Sequence, residues 1–139
     1  MEEKLDLTLL SKAIASFRRA LDEYEKDQTN EFVRDASIQR FEYCYDLSTK
    51  LLKRHLRLIS EDPGKISQMP FQEVIRDAYT KRLLRNSWDQ WWRYRDDRNA
   101  TSHAYDENRA LEVVNRCAGF YKEALFLLER LQDVYEAQV

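Results

Sequence analysis

The sequence predicts an all-α fold, an antiparallel up-and-down bundle of four to five helices that dimerises. Three observations lead there. Only two Gly and two Pro occur in 139 residues, too few turn formers for a sheet protein. Charged residues make up 35% and hydrophobic ones 43%, a balance that suits helices with one wet face and one buried face. Apolar residues recur at steps of three and four through most of the chain.

Each element follows from that period. Leu10, Ile14, Phe17, Leu21 and Tyr24 share one stripe of a first helix. "DQTN" breaks the stripe and supplies capping side chains for a second helix, from about Glu31 to Ser60. Its apolar face takes in Val33, Phe41, Tyr45, Leu52, Leu56 and Ile59, widened by Cys44, Leu51 and Leu58. "SEDPG" ends it, because Pro and Gly together cannot continue a helix. A short helix starts near Pro70, which suits a first helical position, and turns Phe71, Val74, Ile75 and Ala78 inward. "NSWDQ" opens a fourth helix, where Ser87 and Gln90 have capping-box spacing. Trp88, Trp91 and Trp92 load its first turns, and at least one of those rings is assigned to the core. Asp106 caps a last helix carrying Leu111, Val114, Ala118, Tyr121, Leu125, Leu128, Leu131 and Tyr135. The second and last helices are apolar over more than a narrow stripe, and the surplus is expected to face another copy of the chain. One domain, residues 1–139, is expected.

Composition excludes several classes of chemistry. A phosphate-cradling loop needs two or three glycines close together, and only Gly64 and Gly119 are present. A net charge of −2 gives no general attraction to nucleic acid or membrane. Locally, though, Lys81, Arg82, Arg85, Arg93, Arg95 and Arg98 outnumber Asp89, Asp96 and Asp97. Cys44 and Cys117 are too few and too far apart for a disulfide framework or a zinc site, so buried free thiols are expected. His55 lies on a heptad stripe with Phe41, Ser48, Leu51 and Leu58, and is expected to pack inside the bundle. No His/Asp/Glu group has metal-ligand spacing, so neither a metal nor a cofactor is expected. "MEEKLDLTLL" lacks the apolar core of a signal peptide and no 18-residue apolar run occurs, so a soluble cytoplasmic protein without membrane contact is expected.

"DDRNATSHAYDE", Asp96 to Glu107, raises the functional question. It holds one of two histidines, with Arg98 five residues before His103 and Tyr105 two residues after it. An arginine fork suits phosphate, and an imidazole exchanges protons near neutral pH. Together they are the minimum equipment for cleaving a phosphodiester without metal. Residues five apart on a straight helix differ by roughly 140° around its axis, so Arg98 and His103 do not share a face. They converge if the helix breaks between them, or if a second chain presents its own motif opposite. The alternative is a helix end where Arg98 pairs with an acid and His103 is exposed. Arg93 and Arg95 are further candidates for contact with RNA or a nucleotide.

"RNATSHAY" fits the R-x4-H-x-Y form of the motif in HEPN-domain proteins, with Arg98, His103 and Tyr105 in the matching places. "IQRFEYCYDLSTKLLKRHL" resembles the second-helix signature of that family's nucleotidyltransferase substrate-binding branch. "PFQEVIRDAY" followed by "W…DRNATSHAYDE" resembles its third and fourth segments. The likeness spans roughly Leu10 to Glu129. Two departures stand out. Thr49 replaces the tryptophan the branch usually carries before Lys50, and "TKRLLRNS" lacks the glycine usual after "RDAY".

The resemblance implies a dimeric helical bundle whose two motifs face each other in a cleft, and a partner, a separately encoded minimal nucleotidyltransferase. In the toxin–antitoxin version, the HEPN protein is a metal-independent endoribonuclease, neutralised when the transferase attaches AMP to the motif tyrosine. By position, Arg98 and His103 would be catalytic, Asn99 would support the motif and Tyr105 would accept AMP. The alternative is a non-catalytic substrate-binding subunit of a two-component nucleotidyltransferase. A pure adaptor is the third reading.

Overall fold

The computed structural model describes residues 5–100 and 106–136, and among these it holds six helices and no strand. They are α1 (Thr8–Lys26), α2 (Glu31–Ile59), α3 (Pro63–Gln68), α4 (Phe71–Thr80), α5 (Trp88–Ala100) and α6 (Glu107–Tyr135). The all-helical, up-and-down fold expected from periodicity is the one observed.

Caps set several of the boundaries. The Asn30 side chain accepts from the backbone N–H groups of Phe32 and Val33 at 3.0 and 3.2 Å, fixing the start of α2. Such a cap contributes about 1 kcal/mol. Asp106 does the same for α6, accepting from the Arg109 N–H at 3.2 Å. The α3 helix was not foreseen. "SEDPG" stops α2, but Asp62 then caps a new turn by accepting from the Lys65 N–H at 3.2 Å, and Pro63 occupies its first position. The breaker is also a start signal, because proline's fixed φ and missing N–H suit the first helical residue. Pro70 stands one place earlier than expected, as the N-cap of α4, and its carbonyl accepts from Glu73 and Val74.

The end of α4 closes in a left-handed turn. Leu83 N–H donates to Ala78 C=O and Arg82 N–H to Tyr79 C=O, each at 3.0 Å. Arg82 takes φ 62°, a conformation that favours glycine. Within the glycine-free "TKRLLRNS", it is thus an arginine that holds a backbone state favouring glycine.

Helix α1 turns Leu10, Ala13, Ile14, Phe17, Ala20 and Tyr24 inward. Phe120 of α6 sits at the centre of the core. Its ring meets Phe41 and Tyr45 of α2 at 5.2 and 5.8 Å, and Trp91 and Tyr94 of α5 at 5.7 and 5.0 Å. Of the three tryptophans, Trp91 is buried, Trp88 half-buried and Trp92 exposed. His55 is buried as expected, sharing a 2.6 Å hydrogen bond with the Tyr135 hydroxyl, and both cysteines are buried free thiols.

Two expected faces are corrected. Ile59, the last residue of α2, is half exposed. On α6 the expected stripe holds at Val114, Leu128 and Leu131, which are buried, but Leu111 and Ala118 face solvent, and Ala110, Val113, Cys117, Phe120, Ala124 and Leu127 widen the buried stripe. Glu123 lies in that buried stripe. Its carboxylate accepts from the backbone N–H groups of Arg85 and Asn86 at 2.9 and 2.8 Å, and from Trp91 Nε1 at 2.8 Å. The carboxylate thus ties the 81–87 connection and the first turns of α5 to α6.

Candidate functional site

Helices α5 and α6 run antiparallel, since Trp91 meets Glu123 while Asp97 meets Arg116. Residues 101–105 connect them. The motif therefore begins on the last turn of α5. His103, whose convergence with Arg98 is expected, and Tyr105 lie outside the described residues.

Arg98 is placed in detail. Its Nε and Nη2 donate to the two oxygens of Asp46 at 2.9 and 3.0 Å, and its Nη1 lies 2.8 Å from Glu42 Oε1. Glu42 and Asp46 are four apart on α2, so one helix face presents both carboxylates. The hydrogen bonds to Asp46, followed by the charges of Asp46 and Glu42, hold the guanidinium above its ordinary pKa. The pairing with an acid that was set out as an alternative is thus present, and the arginine remains partly exposed. Planar, two-point pairing fixes the fork's orientation as well as its position.

Behind Arg98 the helix is bolted down. Asp97 is buried, accepting from Arg116 Nε at 2.7 Å, with Arg109 Nη1 at 3.5 Å. Arg109 also donates to Asp96 at 2.7 Å and to Glu112 at 2.9 Å. A buried carboxylate shared by two guanidiniums ties the end of α5 to α6, and removing either side would leave an uncompensated charge.

The other candidates separate. Arg95 is exposed one turn before Arg98, its guanidinium 5.1 Å from the Phe71 ring centroid. Both arginines act electrostatically on the buried Tyr45 phenol, whose pKa burial pushes up. Arg93 instead stacks on Trp92 at 5.1 Å, and its place on the helix turns it about 140° away from Arg98. Asn99 is on the exposed side of α5. No group of three or more His, Cys, Asp or Glu that could hold a metal ion occurs among the described residues. Nor is any of their helices long and apolar enough to cross a membrane.

Neither Glu42 nor Asp46 was singled out from sequence. Their four-residue spacing marks a face of α2, but nothing local connects it to an arginine 52 residues away. Asp97 had a signal of its own, an acid three residues before the end of an aromatic-rich helix and in phase with Trp91 and Tyr94.

Comparison with known proteins agrees with the fold. Residues 5–133 match the family described as "Nucleotidyltransferase substrate binding protein like". The chain is 34% identical over 141 residues to "Probable ribonuclease HepT" of Haemophilus influenzae, covering 96% of each chain. A solved Haemophilus influenzae structure, described as revealing the fold of a substrate binding domain of a nucleotidyltransferase, aligns with TM-score 0.85 and 30% identity. That alignment covers 91% of this chain and 99% of the other.

Proposed function

This chain belongs to the nucleotidyltransferase substrate-binding branch of the HEPN-domain family, and on that premise we propose that it is a metal-independent endoribonuclease. It acts in the cytoplasm as a homodimer and pairs with a separately encoded minimal nucleotidyltransferase. The observation that carries this reading is the likeness, along nearly the whole chain, to a relative named as a probable ribonuclease. The fixed, partly exposed fork of Arg98 supports it.

In this reading His103 takes the proton from a ribose 2′-hydroxyl. The 2′-oxygen bonds to phosphorus as the bond to the 5′-oxygen breaks, and a protonated imidazole, from the same or the facing chain, returns a proton to that leaving oxygen. Arg98 stabilises the negative charge that builds on the non-bridging oxygens. The products are a 2′,3′-cyclic phosphate and a 5′-hydroxyl. Asn99 supports the motif, and Arg95 contacts the neighbouring backbone. Arg93, on another side of α5, is assigned to a different stretch of RNA.

Tyr105 is the regulatory position. Its hydroxyl oxygen attacks the α-phosphorus of ATP bound to the transferase, pyrophosphate leaves, and the phenolic proton passes to a base. The bulk and charge of the attached AMP would exclude RNA from the cleft.

The test is cleavage of RNA in excess chelator by the parent, Arg98→Ala and His103→Ala. Cleavage by the parent alone supports the nuclease. Intact RNA in every tube, with tight binding to a co-expressed transferase, supports instead a non-catalytic substrate-binding subunit, the reading favoured by the description of the solved relative. Co-expression with an active transferase should add AMP mass at Tyr105. Added mass elsewhere, or none, removes that assignment.

A further inference from the structure

A second arginine- and aromatic-rich surface lies where α4 meets the start of α5. Tyr79 is 46% exposed and stands between two clefts. One, of about 320 Å³, is lined by Arg76, Tyr79, Trp88 and Asp89 among others. Its neighbour, of about 450 Å³, includes Arg82, Phe126 and Arg130. Three arginines thus face one carboxylate around a solvent-exposed phenol.

The backbone keeps an arginine there at a cost. Arg82 holds φ 62°, where a side chain costs roughly 1–2 kcal/mol over glycine. Its carbonyl accepts from Arg130 Nε at 3.0 Å, which fixes the two cationic residues together. Strain of this kind concentrates at binding sites.

The surface is continuous with the motif. Trp88 packs on Phe71 at 6.0 Å, Phe71 carries the Arg95 guanidinium, and Arg95 precedes Arg98 by one turn. Ten residues of helix separate Trp88 from Arg98, roughly 15 Å. An alternation of aromatic faces and guanidiniums along one path is what a flexible single strand requires, bases on rings and phosphates on cations.

We propose that the paired clefts around Tyr79 bind a nucleotide of single-stranded RNA flanking the phosphate at Arg98. Its base stacks on Tyr79, and Arg76 and Arg82 take the adjoining phosphates. The proposal rests on the ribonuclease reading for its polymer and extends it by a second point of attachment.

The probe is a fluorescent 2′-O-methyl oligoribonucleotide of ~12 nucleotides, which cannot be cleaved and is long enough for both sites. Tyr79→Ala should weaken its binding roughly tenfold, while Tyr79→Phe keeps the ring and the affinity. Arg82→Gly should weaken binding too, yet raise the melting temperature, which separates binding from folding. Equal binding of the long probe by the parent and Tyr79→Ala overturns the proposal, as does no binding by the parent. RNA cleavage by the parent alongside unchanged Tyr79→Ala binding sinks the flanking site and spares the nuclease. Tyr79-dependent binding without cleavage does the reverse.

Discussion

The guanidinium of Arg98 meets the carboxylate of Asp46 edge to edge, Nε to Oδ1 at 2.9 Å and Nη2 to Oδ2 at 3.0 Å, although 52 residues separate them. Asp46 is more than half exposed, so the pair contributes only about 0–1 kcal/mol to stability. Its value in the proposed reaction is orientation.

Asp46→Asn should therefore leave the melting temperature nearly unchanged and lower kcat for RNA cleavage about tenfold, since amide–guanidinium contact is weaker and no longer two-pointed. Loss of activity through KM alone would show that Asp46 tunes binding instead of aiming the fork.

Glu123 is a buried tie between three parts of the chain. Burial raises its pKa, while the N–H donors of Arg85, Asn86 and Trp91 pull it back down. Glu123→Gln keeps the volume but replaces one acceptor oxygen with an NH2 group, leaving at least one buried donor unpaired. The cost should be about 1–3 kcal/mol by urea unfolding, with the largest increase in amide exchange at residues 85–91. Uniform exchange across the chain would contradict a local role for this carboxylate.

Helix type and extent are legible in the sequence because caps and turn formers are local. Asn30, Asp106 and the 3–4 apolar period each act within a few residues. The full buried face of α6 is not. Val114, Leu128 and Leu131 are buried as their period predicts, but Leu111 and Ala118 lie on the same period and face solvent, and only packing against the other helices selects between them. The motif was legible as residue types, whereas the acids that hold its arginine come from a distant helix. Asp62-Pro63 carries two signals at once: the stretch ends α2 as its residues predict, and the same dipeptide also begins α3.

His55 gives a pH signature. Burial lowers its pKa from the ordinary 6.5, so the folded state holds the neutral ring while the unfolded chain takes up a proton. Its contribution is present above pH 6.5 and is lost as pH falls from there towards the folded-state pKa. Stability measured by urea unfolding should fall across this window in the parent. The slope should flatten in His55→Phe, which keeps a ring beside Tyr135 without a titrating nitrogen. An unchanged slope would place the acid sensitivity elsewhere.

If the arginine and the imidazole serve one phosphate, their losses overlap. The decisive measurement is a double-mutant cycle on single-turnover RNA cleavage with Arg98→Ala, His103→Ala and the pair. Shared action predicts a double variant scarcely slower than the worse single one. Losses that multiply, or a single variant that cleaves at the parental rate, would contradict it.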